Sequence, residues 1–321
     1  MKTTLKINRN LTLLFSILVL ASCEKTVVEP ANEYDVAPYK VLDAENSIIA
    51  HTDAQFFDIY TGISVGTIGR IVKTTDGGVT WKKQTTPTVE NLNAVYFVNT
   101  SVGYTAGNVG TILKTIDGGN TWLKLTTGST VNLLGIYFTD ETHGYAVGAT
   151  STVLKTSDGG VTWISSKPLK ISRNLNTVIA SGKNVYICAA NGYVLKSVDS
   201  AATFDTTAVT GVTANLLNMQ LFDDNTAFIC GANGYVINAN FNTNTYSLKK
   251  TSTEENMRGI YFFDKSKGYV VGNFGLVYKT ENGGNSWTRI KSGTSENLYA
   301  IAYPDTQIGY LLGTGVILKT K

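Results

Sequence analysis

The chain repeats one short motif at a nearly constant spacing. The motif reads Thr-x-Asp-Gly-Gly-x-Thr-Trp in its clearest copies, and its first residue falls at six positions: Thr74, Thr115, Thr156, Ser197, Asn238 and Thr280. Neighbouring copies therefore start 41 or 42 residues apart. The copies at Ser197 and Asn238 have diverged from the motif. A fixed period of this length is typical of proteins in which each repeat folds as one unit and packs against its neighbours.

Each repeat consists almost entirely of strand patterns. In the third repeat the sequence predicts strands over 135–138, 144–148 and 152–156, with a fourth that begins at 162. Gly, Asn, Asp and Thr mark every junction, and no window sustains a helical period. Four short strands in about 40 residues make one blade of a β-propeller.

The number of blades follows from the pairs of second and third strands. Seven pairs occur, and they end at Lys73, Lys114, Lys155, Lys196, Asn238, Lys279 and Lys319. The last repeat has no fourth strand, whereas the segment Tyr39-Lys40-Val41-Leu42 precedes a first strand near 54–57. We therefore predict an all-β fold, a seven-bladed β-propeller with four-stranded antiparallel blades, whose ring is closed by this N-terminal strand.

The residues of the repeated motif, which we call the Asp box, can be explained by a structural role. Its carboxylate can accept hydrogen bonds from turn amides, its Gly pair tolerates positive φ, and its Trp brings a large apolar surface to the core. We expect a structural role for Asp76, Trp81, Asp117, Trp122, Asp158, Trp163, Asp199, Asn282 and Trp287. A calcium loop is the alternative, but each box offers one carboxylate and no terminal Glu, so we expect neither a metal nor a cofactor.

The first 22 residues have the pattern of a lipoprotein signal peptide. Basic residues precede a hydrophobic stretch at 11–20, which is too short for a stable transmembrane helix. Leu20-Ala21-Ser22-Cys23 resembles the bacterial lipobox, which implies lipidation of Cys23; an ordinary secretory signal is the alternative. We divide the chain into a signal peptide at 1–22, a tether at 23–36 and a propeller at 37–321, and expect a lipid-anchored protein of the bacterial cell envelope, at the outer membrane or the cell surface.

The charge balance argues against a nucleic-acid partner. The chain has 27 basic and 24 acidic residues, a formal net charge of +3. Lys2, Lys6 and Arg9 lie in the leader, which has no acidic residue, so the mature chain is neutral overall. Nucleic-acid-binding proteins usually present a basic excess, and none remains after the leader is removed.

Together with the strands that precede them, the boxes resemble a known propeller family. The pattern Gly-x-x-x-Lys-Thr leads into the boxes, and a Gly-Tyr pair begins the second strand at Gly103, Gly144, Gly268 and Gly309. These features resemble the Asp-box, or bacterial neuraminidase repeat, propellers, and in particular the photosystem II assembly and stability factor family. The resemblance covers about residues 50–321. It implies a scaffold that holds proteins during assembly, and it assigns no photosystem partner to this chain.

The chemistry-bearing residues do not assemble into a catalytic set. Sialidases share the Asp box but need an arginine clamp, and the mature chain has four arginines and no Arg-Ile-Pro signature. Glycoside hydrolysis needs two carboxylates. Glu90, Glu255 and Glu296 are candidates, but their equivalent repeat positions favour a structural role. We expect no enzymatic activity, and a carbohydrate-binding or sialidase-like hydrolase propeller is the alternative.

The histidines and the two later cysteines indicate structural positions. His143 falls in a loop, and His51 stands alone near the start of the propeller. Cys188 and Cys230 take equivalent second-strand positions where other repeats have Ala, Val or Leu. We therefore expect both cysteines to be buried and unpaired.

The loops between the fourth and first strands share a face with the loops between the second and third strands. Six of the former end in Asn, which predicts a ring of amides around the channel mouth: Asn91, Asn132, Asn174, Asn215, Asn256 and Asn297. We favour local capping, in which each Asn bonds its own loop backbone, and a polar rim that contacts a ligand or peptide is the alternative. Basic residues join this face at Arg70, Lys167, Lys170, Arg173 and Arg258, and scattered solvated charges are the alternative. We expect a monomer that binds a protein or peptide on this face, or a glycan on the rival interpretation.

Overall fold

The computed structural model describes residues 37–39, 49–166 and 171–320. The predicted signal peptide, Cys23 and most of the segment before the first blade lie outside the described residues, as do Lys167 and Lys170. Twenty-eight β-strands and four short 3₁₀ turns account for the regular structure. No helix in the described ranges is long and apolar enough to span a membrane.

The strands form seven sheets, each of four antiparallel strands. Blade 1 contains β2 (His51–Phe56), β3 (Gly62–Gly66), β4 (Ile71–Thr74) and β5 (Lys82–Lys83). Blade 2 contains β6 (Leu92–Phe97), β7 (Gly103–Gly107), β8 (Ile112–Thr115) and β9 (Leu123–Leu125). Blade 3 contains β10 (Leu133–Phe138), β11 (Gly144–Gly148), β12 (Val153–Thr156) and β13 (Ile164–Ser165).

The later blades follow the same order. Blade 4 contains β14 (Leu175–Ser181), β15 (Asn184–Ala189), β16 (Tyr193–Ser197) and β17 (Asp205–Ala208). Blade 5 contains β18 (Leu216–Asp223), β19 (Thr226–Gly231), β20 (Tyr235–Asn240) and β21 (Thr245–Lys250). Blade 6 contains β22 (Met257–Phe262), β23 (Gly268–Gly272), β24 (Val277–Thr280) and β25 (Thr288–Ile290). Blade 7 contains β26 (Leu298–Ala302), β27 (Tyr310–Gly313), β28 (Val316–Lys319) and β1 (Ala37–Tyr39).

In blades 3 to 6 the second and third strands are joined by 3₁₀ turns. These turns are Ala149–Ser151, Ala190–Gly192, Ala232–Gly234 and Asn273–Gly275. The middle residue of each turn has positive φ, between 52° and 60°.

The N-terminal strand closes the ring, as predicted from the missing outer strand of the last repeat. β1 pairs antiparallel with β28, and Ala37 lies opposite Lys319 while Tyr39 lies opposite Ile317. The observed strand begins two residues before the predicted one. Pro38 lies in its middle, and proline is compatible with this outer edge because the edge of a sheet does not need every N–H group.

The first strands form the inner wall of the ring. Each contacts the first strands of both neighbours, and β26 of blade 7 contacts β2 of blade 1. The second strands of blades 1, 2, 3 and 6 are buried at all five residues, whereas the fourth strands of blades 1 to 6 are largely exposed. The core therefore lies between blades, where the first three strands of one sheet face those of the next.

Aromatic side chains connect neighbouring blades in a regular way. Phe138 on β10 stacks on Tyr104 of the preceding blade, with ring centroids 3.6 Å apart. The same Phe138 meets the edge of Trp163 in its own blade at 6.0 Å. Offset and edge-to-face contacts of this kind add to the free energy gained by burial. Trp163 of the Asp box thus packs against the aromatic ring of Phe138, which in turn packs against the preceding blade.

The Asp box forms the turn between the third and fourth strands. Asp117 Oδ1 accepts hydrogen bonds from Thr121 N at 2.9 Å and Thr115 Oγ1 at 2.8 Å, and Asp117 Oδ2 accepts one from Thr121 Oγ1 at 2.6 Å. The bonds from Thr121 are the main reason that the pKa of Asp117 falls to about 2. Gly118 and Gly119 have φ of 70° and 84°, which an L side chain rarely adopts.

The other boxes repeat this geometry. Asp76, Asp158 and Asp199 each accept a backbone N–H and two hydroxyl hydrogen bonds within their own turn. Asn282 achieves the same arrangement with an amide, since its Oδ1 accepts from Ser286 N at 2.9 Å and its Nδ2 donates to Ser286 Oγ at 2.9 Å. The carboxylates in these turns are therefore engaged by their own loops.

Candidate functional site

Every first strand contains a β-bulge at its second residue. In β6, for example, Leu92 pairs with Gly107 and Ala94 pairs with Ala106, so Asn93 is an extra residue without a partner across the ladder. The seven bulged residues are Thr52, Asn93, Leu134, Asn176, Leu217, Arg258 and Tyr299. A bulge redirects a side chain out of the normal alternation. Here all seven side chains line one space at the centre of the ring.

This space is a cavity of about 350 Å³. Besides the seven bulged residues, its lining includes Asp53, Ala94, Gly135, Ile136, Thr177 and Asn218. Three of the bulged residues bond to loops between second and third strands: Asn93 to Asn108, Arg258 to Asn273 and Tyr299 to Thr314. The cavity therefore opens on the face where the sequence predicted a partner site. Its volume is at the lower end of the range for sites that hold small molecules.

Three of the polar bulged residues form hydrogen bonds between adjacent blades. Thr52 Oγ1 donates to the carbonyl oxygen of Leu92 at 2.6 Å, and Asn93 Nδ2 donates to that of Leu133 at 2.7 Å. Asn176 Nδ2 donates to the carbonyl oxygen of Leu216 at 2.6 Å. These donors serve the scaffold, so the cavity's capacity to bind a ligand depends mainly on its other polar groups.

Arg258 is the one cationic group among the described residues of the cavity lining. Its Nε donates a 2.7 Å hydrogen bond to Asn273 Oδ1, and its guanidinium carbon lies 5.2 Å from the ring centroid of Tyr299. Tyr299 is itself anchored, since its hydroxyl lies 3.2 Å from Thr314 Oγ1. Arg258 makes no ion pair with any residue that the structure describes. The guanidinium is therefore oriented while its terminal N–H groups have no carboxylate partner in this part of the chain.

Asp53 is the one carboxylate among the described residues of the lining. Its Oδ1 accepts from Ala54 N and its Oδ2 from Val95 N, both at 2.9 Å. Burial raises the pKa of Asp53 to about 6, and the two backbone N–H groups oppose that rise. The sequence analysis did not identify this residue. A comparison of the repeats could have identified Asp53, because it is the one charged residue at its repeat position. The equivalent residues are Ala94, Gly135, Thr177, Asn218, Gly259 and Ala300.

The six predicted asparagines lie in the loops around the cavity face, and none of them lines the cavity. The side-chain oxygen of Asn91 accepts a 3.0 Å hydrogen bond from Ile68 N in the preceding blade. Asn132, Asn215 and Asn297 accept equivalent bonds from Val109, Asn191 and Phe274. The carbonyl oxygens of Asn174 and Asn256 accept from Ala190 N and Asn273 N. These contacts join neighbouring loops, and four of them fix a residue with positive φ.

The arginines that the sequence predicted on one face, Arg70, Arg173 and Arg258, do not lie together in the cavity lining. Arg258 lines the cavity, whereas Arg70 and Arg173 do not. Arg70 is buried, and the guanidinium of Arg173 lies 4.4 Å from the ring centroid of Tyr193. The structure therefore concentrates the described positive charge of the lining in one residue.

The carboxylates considered for glycoside hydrolysis lie away from the cavity. Glu90, Glu255 and Glu296 are absent from its lining. The carbonyl oxygens of Glu90 and Glu255 accept from Gly69 N and Gly234 N, and the N–H of each of the three glutamates donates to a nearby Thr hydroxyl. Their backbones thus shape the loops between blades, and no second carboxylate accompanies Asp53 in the described lining.

The remaining chemistry-bearing side chains are buried or isolated. Cys188 and Cys230 are buried and free, as expected. His51 is buried with its Nδ1 3.0 Å from Ser64 Oγ, and burial lowers its pKa to about 4. His143 is exposed and pairs with Asp140 at 2.9 Å. Among the described residues no three His, Cys, Asp or Glu side chains are placed to hold a metal ion.

Comparison with protein families supports the resemblance noted from the boxes. Residues 31–131 and 123–181 match the family model described as Photosynthesis system II assembly factor YCF48. The matched ranges include the first three blades and part of the fourth, and the repeats of the remaining blades lie beyond them. The search of curated proteins found no match to this sequence.

Solved structures share the fold at low sequence identity. A structure described as YCF48 bound to D1 peptide aligns with a TM-score of 0.72 and 16% identity, covering 89% of this chain and 96% of that one. A streptogramin B lyase aligns with a TM-score of 0.77 and 10% identity over 89% and 97% of the two chains. A GH74 enzyme of Niastella koreensis aligns with a TM-score of 0.70 and 15% identity over 88% and 53%. These similarities establish the propeller fold, and the neighbours include both binding proteins and enzymes.

Proposed function

We propose that the chain is a YCF48-like, non-enzymatic propeller that binds a protein or peptide segment at the cavity and assists the assembly of its partner. The observation that carries this proposal is Arg258, whose guanidinium is fixed by Asn273 and Tyr299 inside the cavity and has no ion-pair partner among the described residues. Oriented arginines of this kind are frequent anchors in protein interfaces, because they bind carboxylates through two parallel hydrogen bonds.

Two further points support a peptide partner. The cavity is wide enough for a few residues of a chain but not for a folded domain. The YCF48 structure that shares this fold is described as bound to a D1 peptide, which supports a peptide as the class of partner.

The proposed location is the bacterial cell envelope. Its support is the sequence pattern at Leu20-Ala21-Ser22-Cys23, which resembles a lipobox, and the proposal includes lipidation of Cys23 and attachment to the membrane through lipid. Mass spectrometry of the protein from its native host tests it directly. We expect a diacylated N-terminal peptide that begins at Cys23, and its loss in Cys23→Ser. Recovery of an unmodified mature N-terminus from the membrane fraction would contradict it.

Arrays of peptides and glycans test the binding function. The same labelled protein is applied to a random peptide array and to a glycan array, and we expect signal on the peptides. Arg258→Glu should abolish this signal, and Arg289→Glu on the outer strand β25 is the matched control that should preserve it. Binding confined to glycans, or peptide binding that survives Arg258→Glu, would overturn the proposal. A reducing-sugar assay on the glycans that bind, with Glu255→Gln as a variant, tests the rival hydrolase function.

A further inference from the structure

Two side chains of opposite charge line the same cavity without pairing with each other. Asp53 belongs to blade 1 and Arg258 to blade 6, so blade 7 lies between them around the ring. Neither makes an ion pair with any described residue. Partly buried charges are usually compensated by an opposite charge, because their removal from water is unfavourable. Among the described residues, neither of these two charges in the cavity lining has an opposite charge as its partner.

Both charged groups are oriented before any ligand arrives. The Arg258 guanidinium is positioned through the bond from its Nε to Asn273 and through its stacking on Tyr299, which leaves its terminal nitrogens available. The Asp53 carboxylate is positioned by Ala54 N and Val95 N, one for each oxygen. Each carboxylate oxygen keeps further acceptor capacity, since an ionised carboxylate offers about four acceptor positions. Pre-oriented groups lower the entropic cost of binding.

We propose that the cavity binds a zwitterion, a ligand whose ammonium group pairs with Asp53 and whose carboxylate pairs with Arg258. The ligand is a free amino acid or a short peptide with both ends charged. The inference rests on the proposed function for the location of the site, and it adds the chemistry of the ligand. The cavity of about 350 Å³ has room for such a molecule, and Leu134 and Leu217 supply apolar wall for its side chain.

The repeats themselves provide variants that remove each charge and keep one local hydrogen bond of the side chain. Asn218 holds the position of Asp53 in blade 5, and its Oδ1 accepts a 2.7 Å hydrogen bond from Met219 N. Asp53→Asn therefore keeps an acceptor for Ala54 N, whereas Val95 N loses its side-chain acceptor.

Asn93 provides the equivalent precedent for the cation. It holds the position of Arg258 in blade 2, and its Nδ2 donates to Asn108 Oδ1 at 3.0 Å, just as Arg258 Nε donates to Asn273 Oδ1. Arg258→Asn therefore removes the charge and retains a donor for Asn273. Asp205→Asn and Arg289→Asn, on the outer strands β17 and β25, are matched controls that remove the same charges far from the cavity.

Isothermal titration calorimetry of the full chain in detergent at neutral pH tests the proposal. The probes are L-alanine, dialanine and trialanine, each also as its N-acetyl and its C-amide derivative. We expect at least one doubly charged probe to bind, and either blocked derivative to bind at least roughly tenfold more weakly. Asp53→Asn should remove the discrimination against acetylation, Arg258→Asn that against amidation, and the two control variants should behave like the native chain. Binding of alanine indicates a free amino acid, whereas binding of trialanine alone indicates a peptide.

The result that overturns the proposal is a lack of binding by all three probes, or binding that blocked ends leave unchanged. Discrimination that persists in both Asp53→Asn and Arg258→Asn would do the same. These outcomes differ from failure of the proposed function. Peptide-array signal that depends on Arg258 but ignores the charge state of the peptide ends supports a peptide partner and rejects a zwitterion. Calorimetric binding of alanine without array signal supports the zwitterion and rejects the peptide partner.

Discussion

Lys319 Nζ donates a 2.8 Å hydrogen bond to the carbonyl oxygen of Gly77, which lies 242 residues earlier in the chain. Tyr310 OH donates to the same oxygen at 2.9 Å. An equivalent pair of hydrogen bonds joins the consecutive blades 2 and 3. The Nζ of Lys114 lies 2.9 Å and the OH of Tyr104 lies 3.1 Å from the carbonyl oxygen of Gly159. The interface that closes the ring therefore uses the same contacts as an interface between consecutive blades.

Replacement of the closing lysine tests this equivalence. Lys319→Met should lower the free energy of unfolding by about 1–2 kcal/mol, because the carbonyl of Gly77 loses its charged donor. Lys114→Met should lower it by a similar amount, since its bond to Gly159 is the same. Urea unfolding followed by tryptophan fluorescence gives both values. Lys124→Met, on the exposed strand β9, is the control, and the prediction fails if Lys319→Met is no less stable than this variant.

The Asp box should tolerate asparagine better than alanine. Asp117→Ala removes the acceptor for Thr121 and Thr115 and should lower the free energy of unfolding by about 1–3 kcal/mol. Asp117→Asn should lower it by less than half as much, because Asn282 maintains the same turn with an amide. Urea denaturation of the two variants measures the difference. Equal destabilisation would show that the ionised carboxylate, and not the hydrogen-bond geometry, stabilises the box.

The raised pKa of Asp53 makes stability depend on pH. A carboxyl with a pKa of about 6 in the folded chain and an ordinary value of 3.8 in the unfolded chain favours folding only while it is protonated. Stability should therefore fall as the pH rises from about 4 through 6, by at most roughly 3 kcal/mol. Between pH 4 and 8 the free energy of unfolding of the native chain should fall by up to roughly 3 kcal/mol relative to that of Asp53→Asn, when both are compared by urea denaturation. A constant difference across this range would contradict the prediction.

His51 should have the opposite effect in the acidic range. Its pKa of about 4 in the folded chain lies below its ordinary value of 6.5, so the unfolded chain binds a proton first. Stability should fall as the pH decreases from about 6.5 to 4, by up to roughly 3 kcal/mol.

Five of the other repeats have Leu at the position of His51, which makes His51→Leu the natural test. The hydroxyl of Ser64 keeps its acceptor in that variant, since it also donates to the carbonyl oxygen of Asp53 at 3.1 Å. We expect His51→Leu to reduce the loss of stability between pH 6.5 and 4 measured by urea denaturation. An unchanged pH profile would assign that loss to other groups.

Much of the architecture could be predicted without coordinates, because the signals are local and repeated. The Gly pair and Asp of each box define one turn, and the alternation of apolar residues in the strands defines what faces the neighbouring blade. The number of blades and the need for an outer strand from the N-terminal segment follow from counting these units. The predicted position of that strand differed by two residues from Ala37–Tyr39, because three paired residues carry little pattern of their own.

The candidate site could not be predicted by counting repeats, because it is formed by side chains from different blades. Alternation assigns each strand residue to one of two faces, but a bulge adds a residue and changes that assignment. Arg258 and Asp53 are consequently brought to one cavity from blades that lie far apart in the sequence, whereas Arg70 and Arg173 have their own neighbours elsewhere. The repeating unit, the blade number and the closing strand could be predicted from the amino-acid sequence, because they depend on short-range patterns. The set of side chains that meet at the centre became apparent in the folded chain, because it depends on the closed ring and on one unpaired residue in each inner strand.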